Sequence, residues 1–353
     1  MQFKQVFQDN YYFYFSRNKF RKLNINFVWL FHPRLIEDLI SEIKILKFLP
    51  ISIIKVLFAI LPPILISRVR GVKNSEDIEV RGFSVLVPIL SNQINNNKKQ
   101  VNKKIISFLK RCEFFNIKVA GFGGLLAGIS NECLELKPFL NKIVLTTGMA
   151  MNGMLGIEGA KYLINKYFSL GQRIDIGIIA ATTDLGKNIA MGLAKSIKIN
   201  SLILHGRSLD NLNNLKKEIT DVDQNINISI VQECNSILNS NLIIVAGWVE
   251  NIKIDVNNIN SHPIIFDIPS NKTFKPNNRY TLIDKAYVKT PKIDYGIDFG
   301  MPQGTTFGCF AETIMLGSEN LLAHDFIGKI TLQEIEQIDK FATSFHFKNF
   351  GFE

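Results

Sequence analysis

Cys309, in the stretch FGCFAETIML, is the residue of this chain best placed for nucleophilic chemistry. Pro302, Gly304, Thr305 and Thr306 precede it as turn and N-cap residues, and Phe307, Phe310 and Ile314, on either side of it, have the spacing of an apolar helix face. The spacing predicts a helix from about Thr306, which puts Cys309 in its first turn. Unpaired amides and the positive end of the helix dipole favour thiolate there, and the thiolate is the attacking species. Glu312 lies one turn further on the same face, where its charge opposes ionisation of the thiol. It is better suited to holding a backbone or basic group. The plainer alternative is a buried, inert cysteine. Cys112, Cys133 and Cys234 have no comparable setting. No pair of cysteines forms CxxC and the histidines lie far from them in sequence, so neither a zinc site nor a disulfide framework is expected.

A second constellation is GIIAATTDLGKNIA, Gly177 to Ala190. An apolar strand, a polar turn and the start of an amphipathic helix place free amides and a helix N-terminus where a pyrophosphate binds. Such a turn usually has three glycines. Here Ala180 and Thr183 take the first two places and Gly186 keeps the third. Ala180 is the milder change, because alanine accepts most turn conformations of negative φ. Thr183 sets a Cβ near the phosphates, although its hydroxyl is a donor. With Thr182, Asp184 and Leu185 these residues form the expected cofactor turn. A Walker A loop is excluded, since Asn188 follows Gly186-Lys187. At the end of the next strand, LHGRSLDNL carries no acid to meet a ribose hydroxyl but has Arg207, whose guanidinium suits a 2′-phosphate. That favours NADPH over NADH; the alternative is that Arg207 only solvates the following helix. Ala246 and Gly247, in VAGW, end a later strand over the same cofactor position.

These residues need elements to hold them. From about residue 172 the chain alternates strands and helices: RIDIGIIAA, DLGKNIAMGLAKSIK, SLILHG, SLDNLNNLKKEI, ISIV, NLIIVAG and PIIFDI. That pattern argues for a parallel sheet covered on both faces. Upstream, IKVAGFGG and KIVLTTG read as strands, each ending in a glycine turn, and a helix runs from about Met151 to Phe168. IEVRGFSVLVPIL reads as a strand or hairpin. The apolar run 48–67 is broken by prolines, so it reads as a short helix, about Ile51 to Leu61, and an extended Pro-Pro segment rather than a membrane span. It suits a core helix, a wall for a lipid-like substrate or an interfacial membrane contact. The helix after NNN carries a basic face of Lys98, Lys99, Lys103, Lys104, Lys110 and Arg111, either solvated or a dock for an acidic carrier protein. The net charge of +10 accompanies richness in Lys, Asn, Ile and Phe, and no basic stripe interleaved with aromatics marks a nucleic-acid platform. Residues 1–26 carry no secretory leader, so a cytoplasmic setting is expected.

Four blocks together resemble the long-chain fatty acyl-[acyl-carrier-protein] reductases best known from cyanobacteria, and their wider bacterial relatives. AGFGG (Ala120 to Gly124) is similar to their Gly-Gly strand end, and LTTG (Leu145 to Gly148) to their Thr-Thr-Gly turn. The unit from IIAATTDLG to LHGRSLDNL resembles their nucleotide site. FGCFAETIML is similar to their Cys-Phe-Ala-Glu helix, with Cys309 on the catalytic cysteine. FHPRLIEDL (Phe31 to Leu39) resembles an N-terminal segment of the wider relatives. The chain departs in reading AATTDLG for Gly-Ala-Thr-Gly-x-Ile-Gly, and Met149 for the usual Asn after the Thr-Thr-Gly turn.

The resemblance implies an NADPH enzyme that reduces a fatty acyl thioester, carried by acyl-carrier protein or coenzyme A, to an aldehyde through an acyl group on Cys309. Thr147 and Gly148, with the backbone at Gly123 and Gly124, are then candidates for holding the oxyanion or the substrate. The expected fold is α/β: a Rossmann-type NADP domain over 172–290, and a substrate domain over 27–171 completed by 291–353, after an extension of 1–26. Two rival readings stay open. One is a two-domain hydroxy- or amino-acid dehydrogenase without a covalent intermediate. The other is a non-catalytic protein that binds acyl chains or carrier.

Overall fold

The computed structural model describes residues 3–33, 48, 50–74, 76–90, 94–169, 172–247, 254–259, 261–269, 274–284, 286–318 and 324–350. Trp248 and most of the FHPRLIEDL segment lie outside them. The chain divides into two compact units. The first comprises Met1–Gly148, Thr290–Lys329 and Phe341–Phe347; the second comprises Met149–Lys289, Ile330–Lys340 and Lys348–Glu353. The first 26 residues, set apart in the sequence reading, thus count within the first unit, and residues 149–171 within the second.

The first unit opens with α1 (Phe3–Phe15) and α2 (Arg17–Arg21), then β1 (Phe27–Phe31), α3 (Ile51–Ile60), β2 (Ile64–Lys73), β3 (Glu79–Leu86), α4 (Ile94–Phe114), β4 (Val119–Phe122), α5 (Leu126–Ile129) and β5 (Val144–Thr146). Its five strands lie in the order β2-β3-β1-β4-β5, parallel except for the β2–β3 pair. Alternation along β1 sends Val28 and Leu30 to one face and Phe27, Trp29 and Phe31 to the other. On the Val28 face, α4 contributes Val101, Ile105, Phe108 and Leu109 to a core that also takes Phe13 and Phe20 from the N-terminal helices. Asn10 is bound to both backbone groups of Leu65, and the Arg111 guanidinium donates to the carbonyls of Phe13 and Tyr14. The N-terminal segment is therefore built into this unit.

In the second unit, α6 (Met149–Tyr167) precedes β6 (Asp175–Ile179), α7 (Asp184–Ser196), β7 (Ser201–His205), α8 (Leu209–Val222), β8 (Asn227–Val231), β9 (Leu242–Val245), β10 (Ile264–Asp267) and β11 (Thr281–Asp284). The six strands are all parallel, in the order β11-β10-β9-β6-β7-β8. Counted within this unit the order is the doubly wound 3-2-1-4-5-6 arrangement, with its switch point between β6 and β9. The expected α/β class and the Rossmann-type parallel sheet are what the structure has. β12 (Tyr287–Lys289) pairs antiparallel with β14 (Lys348–Phe350). Between them in sequence come β13 (Thr305–Phe307) and α9 (Gly308–Ser318) of the first unit, and α10 (Leu332–Ser344).

The helix expected from about Thr306 begins two residues later. Thr305 and Thr306 lie in β13 instead of capping a turn, and Gly308 opens α9, so Cys309 remains in the first turn. The run 48–67 forms the short α3 and then β2. Only one side of α3 is covered: Ile54 and Phe58 pack on Ile66, Leu86 and Leu90, whereas Ile51, Ile53, Val56 and Ile60 are exposed. Among the described residues, no helix is long and apolar enough to cross a membrane.

Candidate functional site

In the first unit, α9 lies on the sheet face opposite α4, and Gly121 on β4 lets it approach. A side chain at Gly121 would overlap Thr313, and one at Gly123 would stand 2.5 Å from Cζ2 of Trp29. Gly148 ends the Thr-Thr-Gly turn with φ of +76°, and a Cβ there would overlap the Cα and Cβ of Cys309. The turn and the cysteine are thus in backbone contact, which only glycine permits at that φ.

Glu312 is fully buried and accepts from the hydroxyl of Thr146, which itself accepts from the Gly148 amide at 3.2 Å. The carboxyl therefore reaches the backbone of the turn through Thr146, a residue the sequence reading passed over in favour of Thr147. Strand alternation is the signal that finds it, because the last residue of β5 points inward. Thr147 is directed elsewhere: its amide donates to the Phe326 carbonyl at 3.1 Å, and its hydroxyl faces the same oxygen. The Gly123 amide donates to Leu30 at 2.7 Å. Neither amide is open to an oxyanion, which corrects the expectation for Thr147 and Gly123. Gly124, with φ of +63°, lies against the imidazole of His32, whose Nε2 accepts from the Leu125 amide.

Cys309 is half-buried, and the other three cysteines are buried. Burial pushes the Cys309 thiol up to about 11, and the Glu312 carboxylate pushes the same way. The indole N–H of Trp29 and the amides of Cys309 and Phe310 pull it back only in part. The thiolate expected at a helix N-terminus is therefore not the resting form: desolvation outweighs the dipole. Beside the sulfur lies an aromatic wall. Trp29 stacks on Phe310 with centroids 4.2 Å apart and planes 6° apart, and Phe299 stands edge-on to Trp29 and Phe31. Burial likewise raises the Cys234 thiol to about 12 and the Cys112 thiol well above its usual value.

In the second unit, the strand–turn–helix lies at the switch point, at the carboxyl ends of β6 and β9. Ala180 has φ of +62°, in the left-handed region, so this alanine is not the mild replacement expected of it. The Thr183 hydroxyl caps α7, accepting from the Gly186 amide at 3.1 Å and lying 2.8 and 3.0 Å from the carbonyls of Ala180 and Ala246. It is not left to donate to a phosphate. At Gly186 a Cβ would overlap the Ala180 carbonyl, and at Gly247 it would meet the Ala180 methyl at 2.9 Å. Thr182 packs against Gly206. The amides of Asp184 and Leu185, in the first turn of α7, have no partner among the described residues. His205 ends β7 buried; its Nδ1 faces the Ala180 amide at 3.5 Å, and burial holds its pKa below the usual value. Arg207 follows, exposed. Lys187 pairs with Glu218 at 2.7 Å instead of facing the turn.

These residues fit a dinucleotide: a switch point, two free amides at a helix N-terminus, a glycine where backbone must approach backbone, and a guanidinium past the second strand. Of the six basic residues on α4, Lys104 binds the Phe58 carbonyl, Arg111 holds α1 and Lys98 pairs with Glu135, which leaves Lys99, Lys103 and Lys110 exposed. No group of three metal-ligating side chains occurs among the described residues.

No protein-family model and no curated protein matches this sequence. Among solved structures, the chain is similar to Δ(1)-pyrroline-2-carboxylate reductase from Thermococcus litoralis at 17% identity and a TM-score of 0.28, over 34% of this chain and 36% of that one. It therefore spans about a third of that reductase. L-tryptophan dehydrogenase from Nostoc punctiforme is similar at 11% identity and a TM-score of 0.39, over 92% of this chain and 81% of that one. Aspartate transcarbamoylase from Trypanosoma cruzi is similar at 11% identity and a TM-score of 0.34, over 79% and 82%. The α/β architecture of the present chain rests on its own strand order.

Proposed function

We propose that the protein is a nicotinamide-dependent oxidoreductase that reduces a fatty acyl thioester to an aldehyde through Cys309. The observation that carries this reading is that Cys309, at the head of α9 and set against the Gly148 turn, is half-buried, while the other cysteines are buried. In the first step the sulfur of Cys309 bonds to the acyl carbonyl carbon, the bond from that carbon to the carrier sulfur breaks, and the Cys309 proton leaves with the carrier thiol. A thiol held near 11 loses its proton as the bond forms rather than beforehand. The amides of Asp184 and Leu185 would hold the cofactor pyrophosphate, with Ala180, Thr182, Thr183, Gly186, Ala246 and Gly247 shaping the turn, and Arg207 would hold the 2′-phosphate of NADPH. When bound, the cofactor supplies the hydride that takes the acyl group to the aldehyde level. The aldehyde leaves as its bond to sulfur breaks, and Cys309 takes back a proton.

The acyl chain lies along Trp29, Phe31 and Phe299, toward the cluster beneath α3 that Phe31 and Ile297 join. The exposed side of α3, with Phe48 before it, makes peripheral contact with lipid, and Lys99, Lys103 and Lys110 meet acyl-carrier protein. Incubation with acyl-carrier thioester in the absence of NADPH tests the chemistry: intact mass should show one acyl group, lost in Cys309→Ala. A wild-type protein that stays unmodified refutes it.

The neutral thiol favours a second reading, a hydroxy- or amino-acid dehydrogenase that forms no covalent intermediate. That enzyme would turn over with Cys309→Ala; the thioester reductase would not.

A further inference from the structure

Trp29 is 3% exposed, and its indole Nε1 has no hydrogen-bond partner of ordinary geometry. An indole nitrogen only donates, so a buried one without an acceptor is an uncommon arrangement and calls for an explanation. The ring is locked in place. Gly123 leaves no room on one side, with its would-be Cβ 3.2 Å from Nε1; Phe310, the neighbour of Cys309, stacks on its face; and Phe299 meets it edge-on. The N–H is near enough to the sulfur of Cys309 to favour its anion, although it makes no hydrogen bond to it. The carbonyl oxygen of an acyl group on that sulfur lies two bonds away, within reach of a donor that near. Three other polar groups considered for that role are engaged: Thr147 with Phe326, the Gly123 amide with Leu30, and Thr146 with Glu312.

We propose that the indole N–H of Trp29 is a catalytic donor for the carbonyl oxygen of the thioester on Cys309, acting with the first-turn amides of α9. The proposal rests on the thioester reading above. A fixed donor in a water-poor site stabilises charge as it develops on oxygen, at no cost of reorganisation.

The test compares the wild-type protein, Trp29→Phe, and protein carrying 3-benzothienylalanine at position 29, which replaces N–H by sulfur and keeps the ring shape where Trp29→Phe fails to fold. Each is incubated with hexadecanoyl-coenzyme A and with hexadecanoyl-acyl-carrier protein, and acylation of Cys309 is timed by intact mass. In parallel, alkylation of Cys309 by iodoacetamide is followed against pH. Wild type should load, both variants should load about 10²–10³-fold more slowly, and their alkylation curves should move to higher pH because the N–H no longer steadies the anion. Variants that load at the wild-type rate overturn the role of Trp29 and leave the thioester reading intact. A wild type that takes acyl groups from neither carrier overturns that reading and the catalytic role with it. Unmoved alkylation curves overturn the premise that the N–H favours the sulfur anion, whatever the substrate.

Discussion

Replacing Gly148 by alanine tests the contact on which the site geometry depends. Two separate effects add. The first is conformational: φ of +76° costs an L-residue about 1–2 kcal/mol, offset by about 0.4–1 kcal/mol because alanine has less freedom to lose from the unfolded chain. The second is steric. The new Cβ overlaps the Cα and Cβ of Cys309 and stands 3.1 Å from its amide nitrogen, and these are backbone-fixed atoms that cannot swing away. Overpacking of that kind costs about 1–3 kcal/mol, so the total is about 2–4 kcal/mol. Gly304 supplies the control, because it has the same φ of +76° and nothing within 4 Å of a would-be Cβ. Gly304→Ala should cost only the conformational part, about 1 kcal/mol or less. For a unit of this size each kcal/mol moves the melting temperature by about 2–4 °C. Thermal unfolding followed by circular dichroism should therefore place Gly148→Ala about 5–15 °C below wild type and several degrees below Gly304→Ala. Equal shifts for the two variants would show that the Thr-Thr-Gly turn does not press on Cys309.

Thr146→Val keeps the shape of the side chain but deprives the buried Glu312 of the hydroxyl it accepts from, and should cost about 1.5–3 kcal/mol in chemical denaturation; an unchanged midpoint refutes the link. Ala180→Gly removes a Cβ held at φ of +62° and should be neutral or stabilising by up to about 1 kcal/mol; a clear loss would place that φ elsewhere. Because burial lowers the His205 pKa from 6.5, the unfolded chain binds a proton more readily than the folded one. That contribution to stability is full above about 6.5 and declines as the pH falls below it toward the folded pKa. Denaturation of wild type and His205→Asn between pH 7 and 5 should show the wild type losing more. Arg207→Ala should weaken NADPH about 10–100-fold and leave NADH nearly unchanged, read by titration of each nucleotide.

Much of the fold was legible because it is written in short-range periodicity. Short apolar runs followed by helical spacing marked β6 through β10 to within about two residues, and the prolines after Leu61 stopped α3 where helix geometry requires it. The position of Cys309 in a first helical turn was legible for the same reason, since a helix start depends on a few neighbouring residues. The state of its thiol was not. Desolvation depends on what covers the sulfur, and Trp29 and Gly148 come from a strand and a turn far away in the chain. Thr146 and Glu312, 166 residues apart, meet only when α9 lies on β5. Ala180 looked benign because a letter carries no φ; the sign is set by the closure of β6 onto α7 under Thr183 and Gly247. Lys104 and Arg111 read as part of a basic face, solvated or docking an acidic carrier, yet they turn inward to hold carbonyls of α3 and α1. Local pattern dictates which residues form an element and which side of it is apolar. Protonation, backbone strain and the partner of each polar group are decided by atoms that the chain brings together from a distance.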